Sequence, residues 1–223
     1  MEHTEFYKQA RERFFIKVSS FDNNKNRMMS IPYKCIENIA VTYHIMIKED
    51  CDSMTSIVVT NSILDKLGID KEKLHDAAVE NSMRLFPVYV DNIKNIIYRI
   101  AEKNSIGEFE SDISEKISDS INEEEGYALF VVTNKTAVHG AAAIFYPGVL
   151  DKIGESLGVN YFVLPSSVHE MIIVPDNGQF EYIFLKRIVE SINKEIVNPK
   201  DRLTDDVYYY NFRKHSFKNL NIL

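Results

Sequence analysis

The chain has 223 residues, 45% of them hydrophobic and 26% charged, and its formal net charge at pH 7 is −7. This composition is typical of a globular protein that can bury a sizeable core. Two function classes are disfavoured. A membrane-spanning protein is disfavoured because no apolar run approaches the roughly 20 residues that span a bilayer. A protein that binds nucleic acid is disfavoured because an acidic protein repels the phosphate backbone of DNA or RNA.

The N-terminus and the cysteines indicate a cytoplasmic location. The first residues, "MEHTEFYKQARERFF", lack the basic start and apolar block of a signal peptide. Cys35 and Cys51 form neither a CxxC motif nor a disulfide framework, which suits a reducing compartment. We therefore expect a cytoplasmic protein that contacts neither a membrane nor nucleic acid directly.

Helical and strand-like patterns follow one another in the first hundred residues. Phe6, Ala10 and Phe14 recur every four residues, which predicts an amphipathic first helix. The stretches "IAVTYHIMIKED" and "TSIVVT" predict the two strands of a hairpin. Three further patterns predict helices, at "SILDKLG", "DKEKLHDAAVENSMRLF" and "DNIKNIIYRIAEK".

Most of the net negative charge lies in one segment, residues 103–125, which holds two lysines and eight acidic residues. Ile113, Ile117 and Ile121 recur every four residues, so part of the segment is predicted to be an amphipathic helix with its acidic side chains outward. Such a charge run is either a solvated face or a docking site for a basic partner. The candidate docking residues are Glu115, Asp119, Glu123, Glu124 and Glu125.

The strand pattern returns after the acidic segment. The stretches "YALFVVT" and "AAAIFY" predict two strands around the turn "NKTAVHG", and "GVLDKIGESLG" predicts a helix. The stretches "YFVLP" and "MIIVP" predict a further pair of strands. A helix at "FLKRIVESINKEI" and a last strand at "DDVYYYNF" are predicted to follow.

Two similar stretches, "SILDKLG" and "GVLDKIG", lie 86 residues apart, and the strands predicted before them align at the same offset. This similarity predicts an internal duplication of a strand–turn–strand–helix unit, at 41–102 and 127–197, joined by the acidic segment. We expect a single α+β domain over residues 1–223, with a mixed or antiparallel sheet covered by amphipathic helices. Leu64 and Leu150 should be buried.

The stretch "LPSSVHE" lies between two predicted strands and offers four candidate binding residues, Ser166, Ser167, His169 and Glu170. In an extended chain the Cα atoms of Ser167 and His169 are about 7 Å apart, which is loose for a nucleophile and its base. The sequence contains no GxSxG elbow around these serines and no HExxH pattern at the histidine. A polar turn is the favoured interpretation, and a catalytic or ligand-binding loop is the alternative.

His139, in "AVHGAAA", is the histidine expected to approach His169 through the sheet. Two histidines and a carboxylate could bind a metal, but no ligand spacing marks such a site. The glycines form no phosphate-binding loop. We therefore assign no catalytic residue, no metal and no cofactor.

Four blocks carry a resemblance to a known family: "DKLGIDKEKLHDAAVENSMRLFP", "VVTNKTAVHGAAAIFYPGVL", "YFVLPSSVHEMIIVP" and "IVNPKDRLTDDVYYY". From about Ala10 to Tyr210, the chain resembles the uncharacterised bacterial domain-of-unknown-function family numbered 5688, without the N-terminal extension usual in that family. The resemblance implies a bacterial cytosolic protein with an α+β fold. It implies no particular reaction and no catalytic residue.

The expected function is that of a non-enzymatic protein-interaction module, because a concentrated acidic segment is present without a catalytic set or a cofactor loop. Its concrete form is an acidic inhibitor that occupies the basic surface of a nucleic-acid-handling protein, as a phage-encoded anti-defence protein would. One alternative is a hydrolase that uses His169 with Ser166, Ser167 or Glu170. The other is a small-ligand-binding module at the LPSSVHE loop.

Overall fold

The structure is a computed structural model that describes residues 2–50, 53–101, 112–122 and 128–222. It contains helices and antiparallel sheets, which confirms the α+β class. The chain divides into two compact units, Met1–Pro87 (unit 1) and Val88–Leu223 (unit 2), and each is described by itself.

Unit 1 is a four-stranded antiparallel sheet with helices. The long strand β3 pairs with each of the other three strands. The helices are α1 (Glu2–Arg11), α2 (Lys25–Met28), α3 (Asn61–Leu67) and α4 (Lys71–Leu85), and the strands are β1 (Phe14–Ser20), β2 (Tyr33–Ile36), β3 (Ile39–Asp50) and β4 (Ser53–Val58).

Local signals explain the helices that follow the β3–β4 hairpin, which forms as predicted. The Thr60 side chain caps α3 by accepting a hydrogen bond from the backbone of Ile63, and Gly68 ends the helix in the left-handed conformation. Asp70 caps α4 in the same way as Thr60 caps α3. The buried face of α4, which includes Leu74, packs against the sheet.

Unit 2 is built on a six-stranded antiparallel sheet with the strand order β10-β9-β7-β8-β6-β5. Its strands are β5 (Val88–Asn92), β6 (Phe130–Asn134), β7 (Tyr161–Pro165), β8 (Met171–Pro175), β9 (Tyr208–Asn211) and β10 (Ser216–Asn219). Its helices are α5 (Ile93–Ala101), α6 (Ile113–Asn122), α7 (Val149–Leu157) and α8 (Tyr182–Glu195).

Two of these helices show how the unit 2 core forms. Side chains alternate between the faces of a strand, so Phe162 and Leu164 of β7 lie on one face, where they pack with Leu185 and Val189 of α8. Helix α6 packs against β5 and α7. Its Ile113 and Ile117 are buried, which confirms the helix predicted in the acidic segment.

One predicted strand is wrong. The stretch "AAAIFY" was expected to pair with the strand before it, but Gly140–Phe145 is a 3-10 helix. A short run of small apolar residues fits a buried helix as well as a strand, so periodicity alone does not distinguish the two. The internal duplication proposed for 41–102 and 127–197 was based on a hairpin in each copy. The second copy does not form that hairpin, because its second predicted strand is the 3-10 helix.

The buried positions of the two similar helices also differ from the prediction. Leu64 and Leu150 are half-buried, because the faces of α3 and α7 that meet the core are centred on other residues. The buried residues are Leu67, which is 1% exposed, and Ile153, which is 0% exposed. The organisation of residues 1–223 as a single domain stays a prediction.

Candidate functional site

The LPSSVHE loop of unit 2 connects β7 to β8 and is tightly hydrogen-bonded. The backbone N–H of Ser167 donates to the carbonyl of Glu170 over 3.3 Å. The Ser167 hydroxyl donates to Glu170 Oε1 over 3.0 Å and accepts from the backbone N–H of His169 over 3.0 Å. The predicted polar turn between two strands is therefore present, and its side chains are ordered by one another.

His139 meets His169, as the sequence led us to expect. The backbone N–H of His139 donates to Nδ1 of His169 over 3.1 Å, and the two rings stack with their centroids 5.5 Å apart. In this contact Nδ1 of His169 is the hydrogen-bond acceptor. The Nε2 atom of the same ring lies 3.9 Å from Asp201 Oδ1.

Neighbouring segments hold this loop in place from two sides. Thr133 of β6 donates its hydroxyl hydrogen to the carbonyl of His169 over 2.8 Å. The backbone N–H of Val168 donates to the carbonyl of Asp201 over 2.8 Å. Gly140 fits so closely that an added Cβ would lie 2.1 Å from the Thr133 hydroxyl oxygen. The loop is therefore rigidly supported.

Ser167 and His169 are not arranged as the nucleophile and base of a serine–histidine catalytic pair. Nucleophilic catalysis needs the serine hydroxyl to donate to a base, but the Ser167 hydroxyl donates to Glu170 and is 6% exposed. Within the part of the chain that the structure describes, no group of three His, Cys, Asp or Glu residues is placed to hold a metal ion.

Beside the loop, unit 2 contains an apolar cavity with a volume of about 290 Å³, here called the α8 cavity. It lies where α8 faces the β7–β8 strands, and eleven of its twelve described lining residues are hydrophobic. Among these described residues, Ser166 of the LPSSVHE loop is the single polar one. The apolar residues include Ile93, Leu164, Ile172, Val174, Leu185 and Ile192.

The predicted site residues therefore separate into two groups. Ser167, His169, Glu170 and His139 form the polar cluster, whereas Ser166 lines the α8 cavity. Sequence reasoning missed Asp201 and Thr133, because each reaches the loop from a segment more than thirty residues away in the chain. It also missed the cavity, because its lining residues have the same apolar pattern as an ordinary core.

The acidic docking residues are only partly described. Glu115 is exposed on α6, which agrees with an outward acidic face. Asp119 belongs to the same helix. The other three candidates, Glu123, Glu124 and Glu125, lie outside the described residues.

A second polar cluster of unit 2 joins α7 to the β9–β10 hairpin. The carboxylate of Asp151 accepts a hydrogen bond from the Tyr210 hydroxyl, and its Oδ1 lies 2.6 Å from Nδ1 of His215. The hydrogen bond from Tyr210, followed by that from His215, lowers the pKa of Asp151. These three side chains satisfy one another, so the cluster is a structural contact between the helix and the hairpin.

Comparison with known proteins yields a family and nothing closer. A family model described as "Family of unknown function (DUF5688)" matches residues 1–212. No curated protein and no solved structure matches the chain. None of the helices among the described residues is long and apolar enough to cross a membrane.

Proposed function

The chain belongs to the family of unknown function DUF5688, and we propose that unit 2 binds a small apolar molecule in the α8 cavity. The observation that carries this proposal is a cavity of about 290 Å³ whose described lining consists of eleven hydrophobic residues and one serine. Pockets for small molecules combine an apolar lining with a few polar groups in this way. The volume is close to the lower end of the usual range, about 300 Å³.

The apolar lining of the α8 cavity favours an apolar occupant. The cavity is open to the surface, so its lining is in contact with water when no ligand is bound, and burying such apolar surface contributes about 25 cal/mol for each Å². An apolar ligand gains this free energy, because it contacts the lining and removes apolar surface from water.

The polar cluster contributes by fixing the wall of the cavity. Two and three residues after Ser166, the backbone of Val168 and His169 is hydrogen-bonded to β6, to the 3-10 helix at Gly140–Phe145 and to Asp201. A wall that is already ordered loses little conformational entropy when a ligand binds. We therefore interpret His169, Ser167 and Glu170 as supporting residues of a binding site.

The absence of tryptophan from the sequence allows a direct test. Ile192 lines the α8 cavity, so the indole ring of Ile192→Trp should occupy part of its volume. The matched control is Ser191→Trp, whose indole ring should lie on the exposed side of the same helix. Tryptophan emission at a shorter wavelength in Ile192→Trp than in Ser191→Trp verifies this placement. The ligand probe is 1-naphthylamine, a dye with ten carbon atoms that is neutral at pH 7 and whose fluorescence emission shifts to shorter wavelength in apolar surroundings.

We expect the wild type and Ser191→Trp to bind the dye at one saturable site per chain, and Ile192→Trp to bind it at least tenfold more weakly. Equal binding by all three proteins would place the dye elsewhere and overturn the proposal. The proposal would equally fail if the wild type showed no saturable binding.

A second candidate function is the protein-interaction module, favoured by the way in which α6 is anchored. Ile113 and Ile117 fix the helix to unit 2, and Glu115 points outward. We propose a cytoplasmic protein partner with a basic surface, as for an inhibitor of a nucleic-acid-handling protein. Attraction between such charges weakens with salt, because the Debye length falls from about 10 Å at 0.1 M to about 3 Å at 1 M.

The test of this second candidate compares the intact protein with a variant in which Glu123, Glu124 and Glu125 are changed to Gln. A basic partner from a bacterial lysate should be retained by the intact protein at low salt, released at high salt and lost in the variant. Equal capture by both proteins would leave the acidic residues with a role in solubility alone.

A further inference from the structure

We infer that the ligand of the α8 cavity is an uncharged amphiphile, with an aliphatic part of about ten carbon atoms and a hydrogen-bonding group at Ser166. This inference rests on the proposed function and specifies its ligand class. It follows from the volume of the cavity, the chemistry of its lining and the apolar surface beside it.

The volume sets the size of the apolar part. An apolar cavity of about 150 Å³ accommodates one benzene molecule. A cavity of about 290 Å³ therefore has room for about twice that number of carbon atoms, that is, about ten to twelve. A single amino-acid side chain or a lone aromatic ring would leave much of this volume empty.

The lining selects an aliphatic and uncharged group. Phe180 is the one aromatic residue among the lining residues, and the other apolar ones are Ile, Leu, Val and Pro. None of the described lining residues carries a charge, so a carboxylate or ammonium group would lose its water without gaining an ionic partner. The Ser166 hydroxyl can donate one hydrogen bond and accept others, which suits an alcohol, ester or amide.

Apolar surface continues from the cavity to the outside of unit 2. Phe180 stacks on Phe184, with ring centroids 6.0 Å apart and an interplanar angle of 5°. Phe184 is 50% exposed, and its neighbour Ile183 is 49% exposed. An aliphatic chain can therefore follow apolar contacts from the surface into the cavity.

The wild-type full-length protein can be tested with simple probes: 1-octanol, 1-decanol, decanoate and decyltrimethylammonium. Each methylene buried contributes about 0.8 kcal/mol, or about a fourfold change in affinity. We expect calorimetric titration to show that 1-decanol, with two more methylenes, binds about fifteenfold more tightly than 1-octanol. We also expect 1-decanol to bind at least tenfold more tightly than either charged probe of the same chain length.

The variant Ser166→Ala tests the position of the polar group. One neutral hydrogen bond is worth about 0.5 to 1.5 kcal/mol, so Ser166→Ala should weaken the binding of 1-decanol about threefold to tenfold. The exposed control Ser191→Ala should leave this affinity within twofold of the wild type. The thermal unfolding of Ser166→Ala is measured first, and the comparison of the four probes does not depend on that variant folding.

The outcomes distinguish this inference from the proposed function. If the naphthylamine dye binds in the α8 cavity but the alcohol and the charged probes bind equally, the ligand class is overturned and the cavity remains a binding site. Unchanged binding of 1-decanol by a folded Ser166→Ala variant overturns the assignment of the polar group. If neither the dye nor 1-decanol binds, both the ligand class and the proposed function fail.

Discussion

His169 illustrates how a reactive residue type can serve a structural role. Its Nδ1 atom accepts the backbone N–H of His139, and its own backbone groups bond to Thr133 and Ser167. The ring therefore joins the loop to the segment before the 3-10 helix, and Ser166 is held beside the α8 cavity as a consequence.

Gly140→Ala is predicted to be the most damaging small substitution near the loop. The added Cβ would lie 2.1 Å from the Thr133 hydroxyl oxygen, 2.5 Å from the Asn134 backbone nitrogen and 2.7 Å from the His169 carbonyl oxygen. Two of these atoms belong to the backbone and cannot rotate away. We expect a loss of about 3 kcal/mol in the free energy of unfolding, measured by urea denaturation.

Gly148→Ala is the matched control for this steric effect. Gly148 has φ +79, but an added Cβ would meet no atom within 4 Å. Its substitution by Ala should cost about 1 to 2 kcal/mol, from backbone strain alone. A Gly140→Ala variant as stable as Gly148→Ala would contradict the close packing described for the loop.

His75 in unit 1 predicts a pH dependence of stability. Its Nδ1 atom lies 3.1 Å from the Tyr43 hydroxyl, and Nε2 lies 3.4 Å from the Lys34 ammonium. Burial, and then the charge of Lys34, lower the pKa of His75 from its usual 6.5; Asp76 opposes this shift, and Lys71 adds to it. Burial also raises the pKa of Tyr43 to about 12, so both groups are neutral at pH 7.

The sign of the effect follows from proton linkage. Below pH 6.5 the unfolded chain binds a proton at His75 that the folded chain does not bind, so stability is lost as the pH falls from 6.5 toward the lowered pKa. Urea denaturation at pH 7.5 and pH 5.5 should show a larger loss for the wild type than for His75→Gln. Equal losses in the two proteins would show that His75 does not titrate differently on folding.

Among the helices and strands, the sequence predicts best those whose formation depends on local residue patterns. The β3–β4 hairpin and helix α3 follow from alternation, a Thr60 cap and a terminal Gly68. The stretch after β6 was misassigned, because its helical state depends on the fit of Gly140 against Thr133 and His169. That fit is a tertiary contact, so local periodicity carries no signal for it.

Helix α6 offers a test of how the acidic segment is anchored. Ile117 is 0% exposed, so Ile117→Ala should lower the free energy of unfolding by about 2 to 5 kcal/mol. The neighbouring Ser118 is exposed, and Ser118→Ala should change stability by less than about 0.5 kcal/mol. Thermal or urea unfolding of both variants measures the difference. Similar stabilities would mean that α6 is not fixed to unit 2 through its apolar face.

For the whole molecule, the apolar pattern of the sequence predicts which residues are buried. It does not predict how completely their side chains fill the space between the helices and strands. The periodicity of α8 predicts one apolar face, formed by Leu185, Ile188, Val189, Ile192 and Ile196. Leu185 and Val189 are buried as expected, but Ile196, which follows the last residue of the helix, is 78% exposed. Whether the facing strands and helix leave a cavity depends on side-chain shapes across elements that are distant in sequence. The binding site proposed here could therefore be identified only from the structure.

Binding in the α8 cavity can be observed directly by NMR, from the isoleucine, leucine and valine methyl groups that line it. We expect the naphthylamine dye to shift the methyl resonances of lining residues such as Leu164, Val174, Leu185 and Ile192. The resonances of Leu74, buried in unit 1, should stay unchanged. Shifts confined to unit 1 or to exposed residues, with the α8 cavity methyl groups unaffected, would show that the dye does not bind in this cavity.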